Sequence, residues 1–413
     1  MQAKMKLTKL EKAWILYDVG NSAFILLVST LFPIYFNEIA GEAGISSVDY
    51  LAYWGYAASA VTIIVAFLGP VLGTMTDFKG WKKPIFLGSM LLGTAGCLLL
   101  GFVRSWLVFL VLFVIAKCGF SASLIFYDAM LSDVTTPERM DEVSAKGFAF
   151  GYIGSCIPFV AGLVLVLSAS SFGISQMQAM TAAFAISAAW WFLATVPLWR
   201  TYKQIYYVEA KRSIVRASFR RLWNTLKQIR SYPQVFWFLL AFFCYIDGVY
   251  TIIDMATAYG TALGLDTTGL LLALLVTQVV AFPATLLFGR LSGSYSPKRL
   301  ISVCIVAYTL ITLFGMTLDS QVKFWILAVC VGLFQGGVQA LSRSYFAKII
   351  PKEQSGEYFG IFDICGKGAS FLGTMLVSVT SQLTHSLHYG IGSLVVLFLL
   401  GFILFQKSCK YAK

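Results

Sequence analysis

Runs of apolar residues long enough to cross a bilayer recur along the chain, separated by short polar stretches. About 20 apolar residues suffice for one crossing. Runs of that length predict helices near 13–39, 50–75, 84–103, 106–133, 146–169 and 177–199. A polar stretch at 200–233 follows. Six more runs lie near 234–259, 267–289, 300–318, 322–346, 357–380 and 386–406. The pattern predicts an all-α polytopic membrane protein with about 12 transmembrane helices in two six-helix bundles. The bundles cover 1–199 and 234–413, joined by a linker at 200–233.

Composition supports a bilayer as the solvent. The 413 residues are 58% hydrophobic and 12% charged, with a mean hydropathy of +0.79. Soluble domains carry about 25% charged residues, so this chain has too few to cover a water-soluble globule. The net charge of +12 is a topology signal. Basic residues collect on the cytoplasmic side of membrane proteins. With the N-terminus inside, the outer loops hold only Arg104 and Lys323. Lys117, Arg343 and Lys367 lie within spans, and every other Lys and Arg falls on the inner side. Both ends are therefore expected in the cytoplasm. The first run lacks a small-residue cleavage site and reads as a retained span. The eight cysteines fall mostly inside apolar runs and show neither zinc spacing nor a disulfide framework.

Six spans, a basic linker and six spans suggest an internal repeat. The loop after the second span reads Gly73-Thr-Met-Thr-Asp77-Phe-Lys-Gly80-Trp-Lys82-Lys83. The loop after the eighth reads Gly289-Arg-Leu-Ser-Gly293-Ser-Tyr-Ser-Pro-Lys298-Arg299. A second echo pairs Thr136-Pro137-Glu138 with Ile350-Pro351-Lys352-Glu353. Each precedes a glycine pair four residues apart, Gly147/Gly151 and Gly356/Gly360. Gly69 and Gly73 form another such pair, which permits close helix approach.

The first loop resembles the signature of the major facilitator superfamily. Gly73, Asp77, Gly80, Lys82 and Lys83 fit it, while Met75, Thr76 and Phe78 replace its Leu, Ala and Arg. Tyr17-Asp18-Val19-Gly20-Asn21-Ser22-Ala23-Phe24 is similar to the first-span motif of the autophagy-related vacuole-effluxer branch. Tyr245-Ile246-Asp247-Gly248-Val249-Tyr250-Thr251-Ile252 is similar to that branch's seventh-span motif, with Ile246 in place of its usual Asn. The resemblance implies a monomeric secondary transporter working by alternating access. Relatives in bacteria imply a bacterial cytoplasmic membrane. Fungal members are described as exporting amino acids from the vacuole. A small polar solute, amino acids among the candidates, is therefore expected. Lipids, amphiphiles and organic anions stay open on the same fold.

Charges inside the spans are the sharpest chemical signal. A charge at the bilayer centre costs roughly 2.5–3.5 kcal/mol on the lenient insertion scale. Asp18, Lys117, Asp128, Asp247, Asp254, Arg343, Asp363 and Lys367 all fall within spans. They must face a wet cavity or one another. Lys117, Asp247 and Lys367 lie nearest mid-depth, where transporters place substrates. Asp363 and Lys367 share a helix face. One reading gives Lys117 and Lys367 a solute carboxylate, and Asp247 an amine or the coupling proton. In the other, these charges pair structurally, Asp247 with Lys117 or Lys367. Gly248 would loosen the seventh span beside Asp247. Tyr17, Asn21, Tyr245, Tyr250 and Gln278 would add hydrogen bonds. Asp18, Asp128 and Arg343 lie toward the inner face, as a gating cluster. Asp77 would gate by meeting a cation or helix N-terminus of the other half. Lys82 and Lys83 are counted with the gating residues, the plainer reading being that they only enforce topology.

The linker carries nine basic residues with Glu209 as its only acid. Phe219, Leu222, Trp223, Leu226 and Ile229 recur at helical spacing, which predicts a basic amphipathic helix on the inner leaflet. Membrane lipids are thus expected partners, and nucleic acid is not. Gly366-Lys367-Gly368 lacks the upstream glycine and following Ser or Thr of a phosphate loop. H-E-x-x-H and G-x-S-x-G are absent from the sequence, and no cofactor or metal is expected. Transport would then draw on a gradient, with protons as the candidate ion.

Overall fold

Pro33 breaks the first span. A proline ring clashes with the carbonyl four residues earlier and removes a backbone donor. That carbonyl belongs to Ser29. The computed structural model accordingly splits the expected helix 13–39 into α1 (Lys9–Ser29) and α2 (Leu31–Glu42), with Thr30 in a non-helical conformation between them. The model describes residues 6–209 and 214–411, with the side chains of Lys367 and some other helical residues outside the description.

The remaining elements before the linker are α3 (Ser47–Thr76), α4 (Lys82–Leu100), α5 (Trp106–Ala129), α6 (Leu131–Val134), α7 (Met140–Leu167) and α8 (Gln176–Thr201). The linker contributes α9 (Ile214–Gln228). After it come α10 (Pro233–Ala262), α11 (Thr267–Leu291), α12 (Pro297–Gly315), α13 (Gln321–Ile349), α14 (Ser355–Thr384), α15 (Leu387–Gly392) and α16 (Leu394–Lys410). Among the described residues the sole extended pairing is an isolated bridge, Phe78 to Val208. Eleven stretches among the described residues are long and apolar enough to cross a membrane. The twelfth expected span falls on α14, whose 30 residues reach about 45 Å at 1.5 Å per residue. The helices carry apolar residues all round, as membrane spans must: Phe67, Leu107 and Ile403 point outward while Phe86, Phe113 and Phe398 fill the interior.

The two halves use one construction. Tyr17 of α1 donates to Ser123 Oγ of α5 at 2.7 Å. Tyr245 of α10 and Ser342 Oγ of α13 lie 2.6 Å apart. In each half a tyrosine therefore ties the first span to the fourth. The repeated loops also pack alike. A Cβ on Gly73 would lie 2.2 Å from the Gly356 carbonyl oxygen at the start of α14. A Cβ on Gly289 would lie 2.6 Å from Ala145 Cβ near the start of α7. Each half thus leans the end of one span on the beginning of a span in the other half.

Candidate functional site

The ends of the two halves beside the linker meet along a buried polar seam. Its outermost layer is Asp77, the residue after α3. Its Oδ1 accepts from Gly356 N–H at 2.7 Å and its Oδ2 from Glu357 N–H at 3.1 Å. These amides open α14, where the helix has unpaired donors and a positive dipole end. Arg221 of α9 donates to Asp77 Oδ2 at 3.3 Å and pairs with Glu357 at 2.9 Å. Phe78, at the arginine position of the loop signature, is buried instead. An arginine from the linker approaches the acid.

Lys82 does more than the plainer reading, a topology marker, requires. It is fully buried, pairs with Asp133 at 3.0 Å and donates to Ser355 Oγ at 3.0 Å. The break after Ala129 aims α6 so that Asp133 also accepts from Tyr202 Oη, Ile205 N–H and Tyr206 N–H. A buried charge is tolerated only when so fully satisfied. Lys83 remains half-buried beside it.

The next layer is Arg343 of α13, which reaches into the first half. Its guanidinium contacts Asp128 at 3.0 Å and Asp18 at 3.6 Å, and donates to Ser144 Oγ at 2.9 Å and Ser144 O at 3.0 Å. The rings of Trp14 and Phe148 flank it at 4.7 and 4.2 Å. Lys348 adds a further cross-half pair to Asp141 at 2.6 Å. Asp363 and Tyr250 are electrostatic neighbours of Asp128. Asp18, Asp128 and Arg343 are thus brought together between the halves, while Asp77 meets α14 in a separate layer.

Lys117 lies about 16 Å farther along α5 than Asp128, at 1.5 Å per residue. Its ammonium sits 4.9 Å from the Phe120 ring centroid and 5.9 Å from that of Phe24. Asp254 of α10 is close enough to act on it electrostatically. Asp254 is one of the charges within the spans but not one of the solute contacts expected from sequence.

Several expected site residues sit elsewhere. Tyr17 and Tyr245 are fully buried with their hydroxyls engaged inside their own halves, so they serve packing rather than a solute. Asn21 donates back to the Tyr17 carbonyl at 3.0 Å. Gln278 accepts from Gln335 at 3.3 Å, a bond between neighbouring helices. Asp247 does not face Lys117. It is buried against α14, where its Oδ1 accepts from Gly373 N–H at 2.9 Å and from Thr251 Oγ at 3.3 Å. Its Oδ2 has no hydrogen-bond partner among the described residues. Gly248 does not loosen α10 either: the helix is continuous there, and a Cβ would meet the Phe398 ring at 2.5 Å. The side chain of Lys367 lies outside the described residues.

Comparison with known proteins fixes the family. The model for vacuole effluxer Atg22-like proteins matches residues 8–138 and 132–408. The chain belongs to this family. Within the Atg22-like family, it is similar to the MFS-type transporter YxiO of Bacillus subtilis, 43% identical over 97% of this chain and 94% of that one. It is also similar to autophagy-related protein 22 of Kluyveromyces lactis, 22% identical over 92% and 89% of the two chains. Among solved structures it resembles the MFS transporter FucP in the outward conformation, with a TM-score of 0.76 and 16% identity over 98% of both chains. The protein is therefore an integral membrane transporter of the major facilitator fold, built on the Atg22-like pattern.

The environment of Asp77 makes a pH prediction. Burial raises its pKa from the ordinary 3.8 to about 7, against the opposing pull of Lys82, Arg221 and the two α14 amides; Glu357 is the other charge facing it. A carboxyl with a raised pKa binds its proton more tightly in the closed seam than in an open, hydrated one. Closure is then favoured below pH about 4, and that advantage is lost as pH rises to about 7. The closed-to-open ratio is expected to fall between pH 5 and 7 by at most about ten-fold per unit. Asp77→Asn should flatten the response. Spin labels at Lys79 and Glu353, read by inter-label distance against pH, check this; an equally steep response in the variant overturns it.

Proposed function

We propose that the protein carries a small zwitterionic solute of the amino-acid class by alternating access, with the linker side toward the cytoplasm. The observation that supports this is the Lys117–Asp254 arrangement. A cation of the first half and an acid of the second lie within electrostatic reach of each other, beyond the polar seam. Lys117 would take the carboxylate and Asp254 the ammonium, so that binding draws the halves together. Opposite charges at bilayer depth are costly unless they serve such a pairing. Asp247, buried with one oxygen lacking a hydrogen-bond partner among the described residues, is the candidate for a coupling proton, since its protonation needs no rearrangement of its bonds to Gly373 and Thr251. Opening the seam at Asp77 and Arg343 while closing around the solute completes the cycle. A monomer suffices for it.

A second reading, transport of an organic anion or amphiphile, draws on Phe24 and Phe120, whose rings flank Lys117. The two are separated by uptake of radiolabelled amino acids into proteoliposomes, with and without a pH gradient. Lys117→Met should lower uptake of carboxylate substrates by roughly 30-fold or more, the loss typical of one partner in a buried charged contact. Asp247→Asn should retain exchange but lose gradient-driven accumulation. Absence of amino-acid flux in a folded sample overturns the zwitterion reading and leaves the anion one.

A further inference from the structure

The helix that supplies Arg221 carries a second face, exposed at Phe219, Arg220, Trp223 and Lys227. On α9 the side toward the seam holds Ser218 and Thr225, both buried, with Arg221 between them. At about 100° per residue, Leu222, Phe219 and Trp223 follow around the helix. Arg220 and Lys227 come next. Phe219 is 57% and Trp223 60% exposed. Lys227 stands over the Trp223 ring at 5.1 Å, and Arg220 is exposed. A strip of large apolar side chains beside a basic strip suits the boundary between acyl chains and headgroups. The location agrees. α9 lies between α8 and α10, both of which cross the membrane, and the flanking Trp199 and Tyr232 are also exposed.

We propose that α9 docks on an anionic lipid surface through Phe219, Trp223, Arg220 and Lys227, and that docking holds Arg221 against Asp77 and Glu357. One helix then links the lipid headgroups to the seam. The charge match selects the occupant, since a basic strip on a bilayer-level helix faces phosphate groups first. Docking restricts α9 to the orientation in which Arg221 bridges the first half, through Asp77, and the second, through Glu357. Anionic lipid therefore favours the closed linker end, and a neutral bilayer releases it. The consequence concerns the regulation of transport and does not depend on which solute is carried.

Hydrogen exchange on the full-length protein tests this without a substrate. The probes are nanodiscs of phosphatidylcholine alone and nanodiscs containing phosphatidylglycerol. Exchange should slow in the anionic discs both across 214–228 and across 355–360, where Asp77 holds the Gly356 and Glu357 amides. Two basic side chains near an anionic surface correspond to roughly ten- to thirty-fold. The exposed-site double variant Arg220→Gln/Lys227→Gln should lose the lipid dependence at both segments. Arg221→Gln should keep it across 214–228 and lose it across 355–360. Equal exchange in the two lipids overturns the docking, and hands the exposed face to a soluble protein partner. A lipid effect confined to 214–228 in the unaltered protein overturns the link to the seam.

Discussion

Arg343→Gln is expected to abolish transport and to leave the linker end open. Arg343 comes from the second half, whereas Asp18, Asp128 and Ser144, which it touches, belong to the first. The four meet only when the halves close there. Removing the guanidinium leaves two carboxylates facing each other in the closed seam. Breaking a buried ion pair from one side costs about 3–5 kcal/mol. An open, hydrated seam does not carry that penalty, so the open form is favoured by more than 100-fold on the same figure. Arg343→Lys should recover little, because an ammonium cannot span two acids and the Ser144 oxygens as the planar fork does. Neutralising the acids as well, with Asp18→Asn and Asp128→Asn, should restore closure in part. Exchange of amides 140–147 reports the seam directly. Uptake and exchange both unchanged in Arg343→Gln would exclude this cluster from the cycle.

Gly73→Ala should have a comparable effect for a steric reason. The added Cβ would lie 2.2 Å from the Gly356 carbonyl oxygen and 3.0 Å from its carbon. Those atoms are backbone of a packed helix and cannot turn aside. Gly360 also lies close to Pro70, with a Cβ at 2.7 Å from its Cα. The Gly69/Gly73 and Gly356/Gly360 pairs therefore interlock, and α3 must move away from α14 to make room. Overpacking of this kind costs about 1–3 kcal/mol, which lowers the closed fraction by roughly 5- to 150-fold. Spin labels at Lys79 and Glu353 should show the longer distance becoming dominant. Gly88→Ala is the control, since nothing lies within 4 Å of its Cβ position. A short distance retained in Gly73→Ala would mean that this contact does not limit closure.

Both effects trace back to features visible in one dimension. The glycine pairs stand four residues apart in the chain, and the intramembrane charges stand out against their apolar neighbours. The partners do not. Lys82 and Lys83 are adjacent and chemically alike, yet one is sealed against Asp133 and Ser355 while the other is half-buried. Tyr17 and Tyr245 sit in polar motifs that read as solute contacts, but each spends its hydroxyl on a serine of its own half. Asp254 is absent from the expected solute contacts because the depth of a residue counted from a span end says nothing of what stands opposite.

The bilayer solvent, most of the long helices, the repeated loops and the family are legible in the chain alone. Each follows from local rules: about 20 apolar residues satisfy their own backbone only as a helix in lipid, and a repeated loop needs no partner to be recognised. Which charges meet is set by the folded arrangement. Arg221 reaches Asp77 across 144 positions of chain and Arg343 reaches Asp128 across 215. Such pairs depend on helix rotation and on how two bundles lean together, and side-chain packing between halves sets both.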